Sequence, residues 1–181
     1  MNIAIFGGSF DPPHIGHQQI VKLALKRLDI DKLFVIPTYL NPFKNEFHLS
    51  PKIRLELVKE LFQDNISVDV LDYEIVQNRQ VSSFETVQYI KSLYDIDKIY
   101  LIIGADNLKS LHLWYNFEKL NKLVEFVVIS RENYNDTNSN IQTINLDMNI
   151  DISSSELRKH IDYNYIPQQI KQKVEQIWKQ D

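Results

Sequence analysis

Residues 3–17 read IAIFGGSFDPPHIGH, and this stretch decides the expected fold of the chain. A short apolar run ends in a Gly-Gly pair, and two histidines, His14 and His17, follow with Gly16 between them. Glycines let the backbone approach a ligand closely and adopt positive φ without a steric penalty. A helix that begins near Gly16 points its unpaired N–H groups at the same place. Paired histidines also occur in ordinary loops and metal sites, but this context favours a strand, a phosphate-binding loop and a helix.

Six apolar runs recur along the chain, with helical patterns between them. Continuous rather than alternating hydrophobicity predicts strands covered on both faces, as in a parallel sheet. We therefore expect an α/β fold, a doubly wound, Rossmann-like and mostly parallel sheet with helices on both faces, whose ligands bind at the carboxyl ends of the strands. The predicted strands are residues 3–6, 33–36, 66–70, 99–103, 126–129 and 141–146.

Composition limits the class of protein further. The chain has 181 residues, of which 44% are hydrophobic, so it can bury a core, and we expect one domain over 1–181 with a C-terminal helical portion from about 153. A net charge of −4 disfavours nucleic acid and anionic membranes as partners, and the lack of cysteine excludes disulfides and thiolate chemistry. We expect a cytoplasmic protein without a membrane span, with a mobile polar loop at 133–140 and a packed terminal helix at 167–180.

A second anion site is expected near the carboxyl end. Ser153 and Glu156 have the spacing of a capping box, which by itself explains the local sequence as a helix start. The same helix start aims hydroxyls and N–H groups at an anion, and Arg158 adds a planar fork for phosphate oxygens. Both interpretations remain open, and they are compatible.

Both ends of the chain resemble one superfamily. Residues 8–17 resemble the G-x-F-D-P-x-H-x-G-H signature of the nucleotidyltransferases, and residues 152–158 resemble their I-S-S-T-x-I-R segment. Members join a nucleotide to a phosphorylated partner and release pyrophosphate. Residues 37–44 resemble the P-x-x-x-P-P-H-K loop of the bacterial nicotinate-nucleotide adenylyltransferases, where Lys44 matches but Asn41 and Phe43 depart from the pattern.

Middle segments resemble the same family less closely. Residues 72–75 and 83–86 resemble its D-x-E-I and S-Y-T-x-x-T segments, residues 104–115 its G-x-D…W-Y pattern, and residues 129–131 its V-x-x-R segment. Other interpretations stay open: Ser83 as a helix cap only, Asp106 as an N-cap, Trp114 as a core aromatic, and Arg54, in an M-R-L-like helix start, as a surface charge.

The resemblance implies transfer of an adenylyl group from ATP to nicotinate mononucleotide, with pyrophosphate as the second product and Mg²⁺ arriving with ATP rather than in a protein cage. It implies small-molecule partners and a monomer or homodimer. The implied catalytic residues are His14, His17, Lys44 and Arg158. The implied ATP-binding residues are Gly7, Gly8, Ser9, Phe10, Gly16, Gly104, Asp106, Arg131, Ser154 and Ser155, and the implied mononucleotide-binding residues are Lys44, Ser83, Trp114 and Tyr115.

Rival functions follow from the same residues. One alternative is an adenylyltransferase that prefers nicotinamide mononucleotide, and another is a related transferase that acts on pantetheine phosphate or a cytidylyl acceptor. A third is an inactive nucleotide-binding module of the same fold. His14 argues against the pantetheine enzymes, whose first motif reads T-x-G-H. Intact His14, His17 and Arg158 argue against an inactive module.

Overall fold

The computed structural model describes residues 1–41, 46–131, 141–150 and 152–179, with the backbone alone for Arg131. Lys44 and the predicted loop at 133–140 lie outside the described residues. Within the described residues, no helix has both the length and the apolar character needed to cross a bilayer.

Strands and helices alternate along the chain, as the pattern of apolar runs predicts. The strands are β1 (Asn2–Gly8), β2 (Lys32–Pro37), β3 (Val68–Val70), β4 (Lys98–Gly104), β5 (Glu125–Arg131) and β6 (Thr143–Met148). The helices are α1 (Ile15–Arg27), α2 (Pro51–Phe62), α3 (Tyr73–Val76), α4 (Ser83–Leu93), α5 (Phe117–Asn121), α6 (Ser154–Lys159) and α7 (Lys171–Trp178).

The six strands form one parallel sheet in the order β3-β2-β1-β4-β5-β6. The chain moves outward from β1 to β3 on one side and from β4 to β6 on the other, so the order reverses between β1 and β4. Ligands of doubly wound sheets bind outside the carboxyl ends of the strands at such a reversal. The expected fold class is confirmed, and the loop from β1 to α1 leaves the sheet at this point.

Side chains of β1 alternate between two cores, one on each face of the sheet. Ala4 and Phe6 belong to the core that includes buried residues of α1, α2, α6 and α7, whereas Ile3 and Ile5 belong to the core built with α4 and α5. Helices therefore cover both faces, as predicted. The terminal helix, predicted over 167–180, spans Lys171–Trp178 and packs through Val174, which is fully buried.

Some boundaries differ from the sequence prediction. Strand β3 begins at Val68 rather than residue 66, because Ile66 lies in a turn and is 92% exposed. Strand β6 is displaced by two residues towards the carboxyl end, to Thr143–Met148. Apolar character alone therefore located these two edge strands only approximately.

Candidate active site

A cleft of about 640 Å³ opens at the carboxyl edge of the sheet. The ends of β1 and β4 form its floor, and its walls come from the start of α1, the segment before α4 and the segment after β4. Its volume suits a small-molecule ligand of nucleotide size. The predicted site residues that line it are Gly7, Gly8, His14, His17, Ser83, Gly104, Asp106, Trp114 and Tyr115.

The two histidines stack on each other at the start of α1. Their ring centroids lie 3.8 Å apart, and His14 is 3% exposed. The backbone N–H of His14 donates to Nδ1 of His17 at 3.1 Å. Because Nδ1 of His17 accepts this hydrogen bond, a neutral His17 carries its proton on Nε2 and acts as a donor there.

The loop between β1 and α1 holds the histidines through Phe10 and Gly16. Phe10 does not line the cleft; it is 1% exposed, and its ring centroid lies 4.7 Å from that of His17. The positive φ of this loop, 49°, belongs to Phe10 and not to a glycine. A Cβ on Gly16 would approach the His14 ring to 2.9 Å, so this glycine provides close approach rather than an unusual dihedral angle.

The carboxyl-terminal cluster docks on the same loop. Ser154 Oγ donates to the carbonyl of Pro12 at 3.0 Å, and Arg158 Nη1 donates to the carbonyl of Asp11 at 2.6 Å. Arg158 Nη2 donates to Ser155 Oγ at 2.9 Å. The capping box is also present, because Ser153 Oγ accepts from the N–H of Glu156 at 3.2 Å. The structure therefore places this cluster two to three residues from His14, beside the cleft rather than in its lining.

Arg54 braces the loops behind the site, and sequence reasoning left its role open. The side chain is 1% exposed, so it is not a surface charge. Its guanidinium donates to four main-chain carbonyls at 2.6 to 3.0 Å. Burial lowers the pKa of Arg54, and the nearby carboxylate of Asp11 opposes that shift. The acceptors are the carbonyls of Ser9, Thr38, Tyr39 and Leu49.

Asp11 completes this brace. Its carboxylate accepts from the N–H groups of His48 and Leu49 at 2.9 and 2.8 Å, while its own carbonyl accepts from Arg158. One residue of the first motif thus connects the segment before α2 with helix α6. The implied site residue Ser9 takes part in the brace through its carbonyl and does not line the cleft.

One wall of the cleft is aromatic. Trp114 lines it, and its Nε1 is buried with no hydrogen-bond acceptor among the described residues. Tyr115 is exposed and contacts the Phe84 ring edge-on, with centroids 6.3 Å apart. Ser83 is the first residue of α4, and the cap of that helix is Ser82, whose Oγ accepts from the N–H of Glu85.

The end of β4 brings an acidic side chain to the cleft. Gly104 is the last residue of the strand and also the N-cap of a short 3₁₀ turn, Ala105–Asn107, so Asp106 lies within this turn and is not its N-cap. A Cβ on Gly104 would meet the end of the Asp106 side chain, so a larger residue at this position would require that carboxylate to turn away. Arg131 ends the adjacent strand β5. Within the described residues, no group of three or more His, Asp or Glu side chains is arranged to hold a metal ion.

Glu74 is a cleft residue that sequence reasoning did not single out. It is 5% exposed, lines the cleft, and accepts a hydrogen bond from Thr86 Oγ1 at 2.7 Å. Burial raises the pKa of Glu74 to about 7, although the hydrogen bond from Thr86 acts in the opposite direction. Its position in the D-x-E-I segment is the sequence signal that could have marked it. Its burial adds weight to that signal, because glutamate is seldom fully buried unless it is paired.

Comparison with known proteins places the chain in a family. The cytidylyltransferase-like family model matches residues 5–160. The chain is 52% identical over 175 residues to a protein of Aliarcobacter butzleri named probable nicotinate-nucleotide adenylyltransferase, covering 96% of this chain and 95% of that protein. It is 49% identical over 180 residues to a protein of the same name from Campylobacter fetus, covering 99% and 98%.

A solved structure shows the same fold. The nicotinic acid mononucleotide adenylyltransferase of Plasmodium falciparum, complexed with NaAD, aligns with a TM-score of 0.74 at 24% sequence identity, over 93% of this chain and 92% of that one. At this identity the likeness supports the architecture alone. The family model and the identity to curated relatives go further, and by these measures the chain belongs to the nicotinate-nucleotide adenylyltransferases of the cytidylyltransferase-like family.

Proposed function

We propose that the protein transfers the adenylyl group of ATP to nicotinate mononucleotide, forming deamido-NAD and pyrophosphate. The observation that carries the proposal is that one cleft is lined both by the histidine pair at the start of α1 and by the indole of Trp114. The imidazoles can bind phosphate oxygens, and the flat indole can stack on a pyridine ring. The names of the curated relatives agree with this activity.

The reaction is an in-line displacement at the α-phosphorus of ATP. An oxygen of the mononucleotide phosphate forms the new bond, the bond from the α-phosphorus to the bridging oxygen breaks, and pyrophosphate leaves with that electron pair. A phosphate monoester is largely ionised near neutral pH, so the nucleophile needs no general base. The protein supplies alignment and stabilisation of charge, as in phosphoryl transfer generally.

His17 and His14 act at the α-phosphate in this proposal. The Nε2–H of His17 donates to a phosphate oxygen, because Nδ1 is held by the His14 backbone N–H. Donors that are already oriented towards developing charge stabilise the transition state without reorganisation. The ring stack fixes the spacing of the two imidazoles.

The remaining implied residues divide between the two substrates. Ser154, Ser155 and Arg158 approach the triphosphate from the loop on which they dock, and Lys44 adds a cation from the segment after β2. Gly7, Gly8, Gly104 and Asp106 lie at the strand ends where ATP binds, with Arg131 on the adjacent strand. Trp114 and Tyr115 bind the pyridine ring by stacking, a contact of about 1–3 kcal/mol by analogy with base stacking, and Ser83 lies beside them.

In the proposed site, Mg²⁺ enters bound to ATP. The donor set fits an ion held mainly by phosphates, because Asp106 is a single carboxylate at the ATP side of the cleft and Mg²⁺ commonly binds one or two carboxylates plus substrate phosphates. When bound, the ion neutralises charge on the leaving pyrophosphate. We further propose a cytoplasmic enzyme whose partners are its small-molecule substrates.

The test is a paired assay of pyrophosphate release. The purified protein is given ATP and Mg²⁺ with nicotinate mononucleotide, nicotinamide mononucleotide or phosphopantetheine at equal concentration. We expect the highest kcat/KM with nicotinate mononucleotide and a dinucleotide product of matching mass. Higher kcat/KM with nicotinamide mononucleotide would support the amide-preferring alternative, and no release with any acceptor would support the inactive module.

A further inference from the structure

Glu74 occupies the same end of the cleft as the aromatic wall. Thr86, its hydrogen-bond partner, lies on α4 only three residues after Ser83, and Phe84 between them contacts Tyr115. Glu74 and Trp114 both line the cleft. A buried carboxyl group is thus placed where the pyridine ring of the mononucleotide is proposed to bind.

The hydrogen bond to Thr86 leaves the carboxyl group with one oxygen for a ligand. Thr86 Oγ1 donates to Oε1, and no described residue bonds Oε2. When Glu74 is protonated, its proton therefore resides on Oε2, which becomes a donor. When Glu74 is ionised, the same oxygen becomes an acceptor.

Titratable groups around Glu74 favour the protonated form. Glu85 on α4 is the charged group that acts on Glu74, and its negative charge opposes ionisation. Arg79 is an ion-pair partner of Glu85 at 2.7 Å, and Tyr73 stacks on Tyr89. On the α2 side, Lys59 pairs with Asp72 at 3.7 Å.

We propose that Glu74 reads the substituent of the pyridine ring, donating a hydrogen bond to a carboxylate when protonated and accepting one from an amide when ionised. The inference rests on the proposed function and adds a specificity-determining residue to it. An ionised Glu74 would repel the carboxylate of the nicotinate substrate, so that substrate selects the protonated enzyme. The amide substrate carries no such charge and gains an acceptor from ionisation.

The consequence is a preference that depends on pH. The ratio of kcat/KM for the acid to kcat/KM for the amide should fall by about tenfold as pH rises from 6 to 8.5, the loss expected for a charge-assisted hydrogen bond. Both substrates carry the same phosphate, and both meet the same histidines. Titration of those shared groups cancels in the ratio, and the pyridine carboxyl stays ionised throughout.

Binding provides a second readout that does not need turnover. Since the acid selects protonated Glu74, its binding at pH 7.5 should take up a proton beyond any taken up with the amide. Isothermal titration calorimetry in buffers of different ionisation enthalpy measures that difference. The amide and the acid thus serve as controls for each other.

Two variants test whether Glu74 causes the pH dependence, and a third serves as a control. Glu74→Gln keeps an N–H donor but cannot titrate, so we expect a ratio that favours the acid at every pH and no difference in proton uptake. Thr86→Val removes the hydrogen bond that favours ionisation, so the change in ratio should move to higher pH. Glu118→Gln, on an exposed position of α5, should leave the wild-type profile unchanged.

The outcomes separate the inference from the proposed function. A wild-type enzyme that makes deamido-NAD with an acid-to-amide ratio independent of pH, and with equal proton uptake for both ligands, overturns the role of Glu74 and leaves the function intact. A pH-dependent ratio that persists in Glu74→Gln also overturns it. Failure to use or bind either mononucleotide would overturn both.

Discussion

His17 shows how one side chain acquires its role from its immediate neighbours. The spacing of His14 and His17 was visible in the sequence, but the tautomer of His17 depends on a backbone N–H that only the folded loop brings to Nδ1. The buried ring of Phe10 on its other side limits how the imidazole can turn. Packing and the hydrogen bond at Nδ1 thus orient the Nε2–H donor.

Replacement of His17 by alanine should therefore affect turnover more than binding. We expect kcat to fall by about 100- to 1000-fold, the cost of removing one preorganised donor, with the KM for ATP changed by less than about fivefold. Steady-state kinetics with saturating mononucleotide measures both. The Lys26→Ala variant, at an exposed position late in α1, is the control. Near-wild-type kcat in His17→Ala would contradict the assigned role.

Glu74 has a consequence for stability as well as for specificity. Its pKa is about 7 in the folded protein, above the ordinary glutamate value of 4.5. Between these values the native state binds the extra proton, so the free energy of unfolding falls as pH rises through this range and stays low above it. The expected loss is about 3 kcal/mol.

Urea denaturation at pH 5 and pH 8 tests this expectation. Glu74→Gln cannot ionise, so its free energy of unfolding relative to wild type should be higher at pH 8 than at pH 5 by a similar amount. Glu118→Gln should follow the wild-type profile. Parallel profiles for wild type and Glu74→Gln would show that burial does not hold the proton on this carboxyl group.

At the scale of elements, the loops around the site are held by helices that lie elsewhere in the sequence. Arg54 projects from α2 to the carbonyls after β1 and β2, and α6 docks on the first motif across 147 residues of sequence. Capping explains where α2 and α6 begin: Ser50 caps α2 with Pro51 following it, and the capping box of α6 was predicted from the spacing of Ser153 and Glu156. The hydrogen-bond partners of a long side chain such as Arg54 could not be predicted, because a helical pattern shows which face is buried but not which carbonyls lie against it.

Arg54→Lys tests the brace. Lysine keeps the charge but provides three donors without the planar fork, so at least one buried carbonyl loses its partner. We expect a loss of about 2–4 kcal/mol in the free energy of unfolding, measured by urea denaturation, and a lower kcat with little change in the KM for ATP. Lys52→Arg, an exposed neighbour on α2, is the matched control. Unchanged stability in Arg54→Lys would mean that the four hydrogen bonds do not support the fold.

At the scale of the whole molecule, the fold was the most predictable property. Six apolar runs, with helices between them, leave few arrangements other than a doubly wound sheet. The site was less predictable, because its parts meet only through tertiary contacts. Ser154 and Pro12 lie 142 residues apart, and no local pattern announces their hydrogen bond. Family resemblance, rather than periodicity, indicated that the two ends belong together.

The shared core predicts one cooperative unfolding transition over residues 1–181. Val174 of the terminal helix and Ala4 of β1 belong to the same buried cluster, so neither is expected to unfold alone. The chain has two tryptophans, so each can be followed alone during thermal unfolding. In Trp178→Phe, the fluorescence of Trp114 reports the cleft; in Trp114→Phe, the fluorescence of Trp178 reports the terminal helix. Within each variant, fluorescence and circular dichroism should give coincident midpoints. A terminal helix that melts at lower temperature would indicate a separate unit.

The brace made by Arg54 also affects which substitutions the surrounding loops can accept. Every acceptor is a main-chain carbonyl, so a new side chain at Ser9, Thr38, Tyr39 or Leu49 leaves the oxygen in place. The hydrogen bonds of Arg54 therefore do not depend on which side chains these four positions carry. Substrate preference can diverge in these loops while the geometry of the reacting phosphates is inherited unchanged.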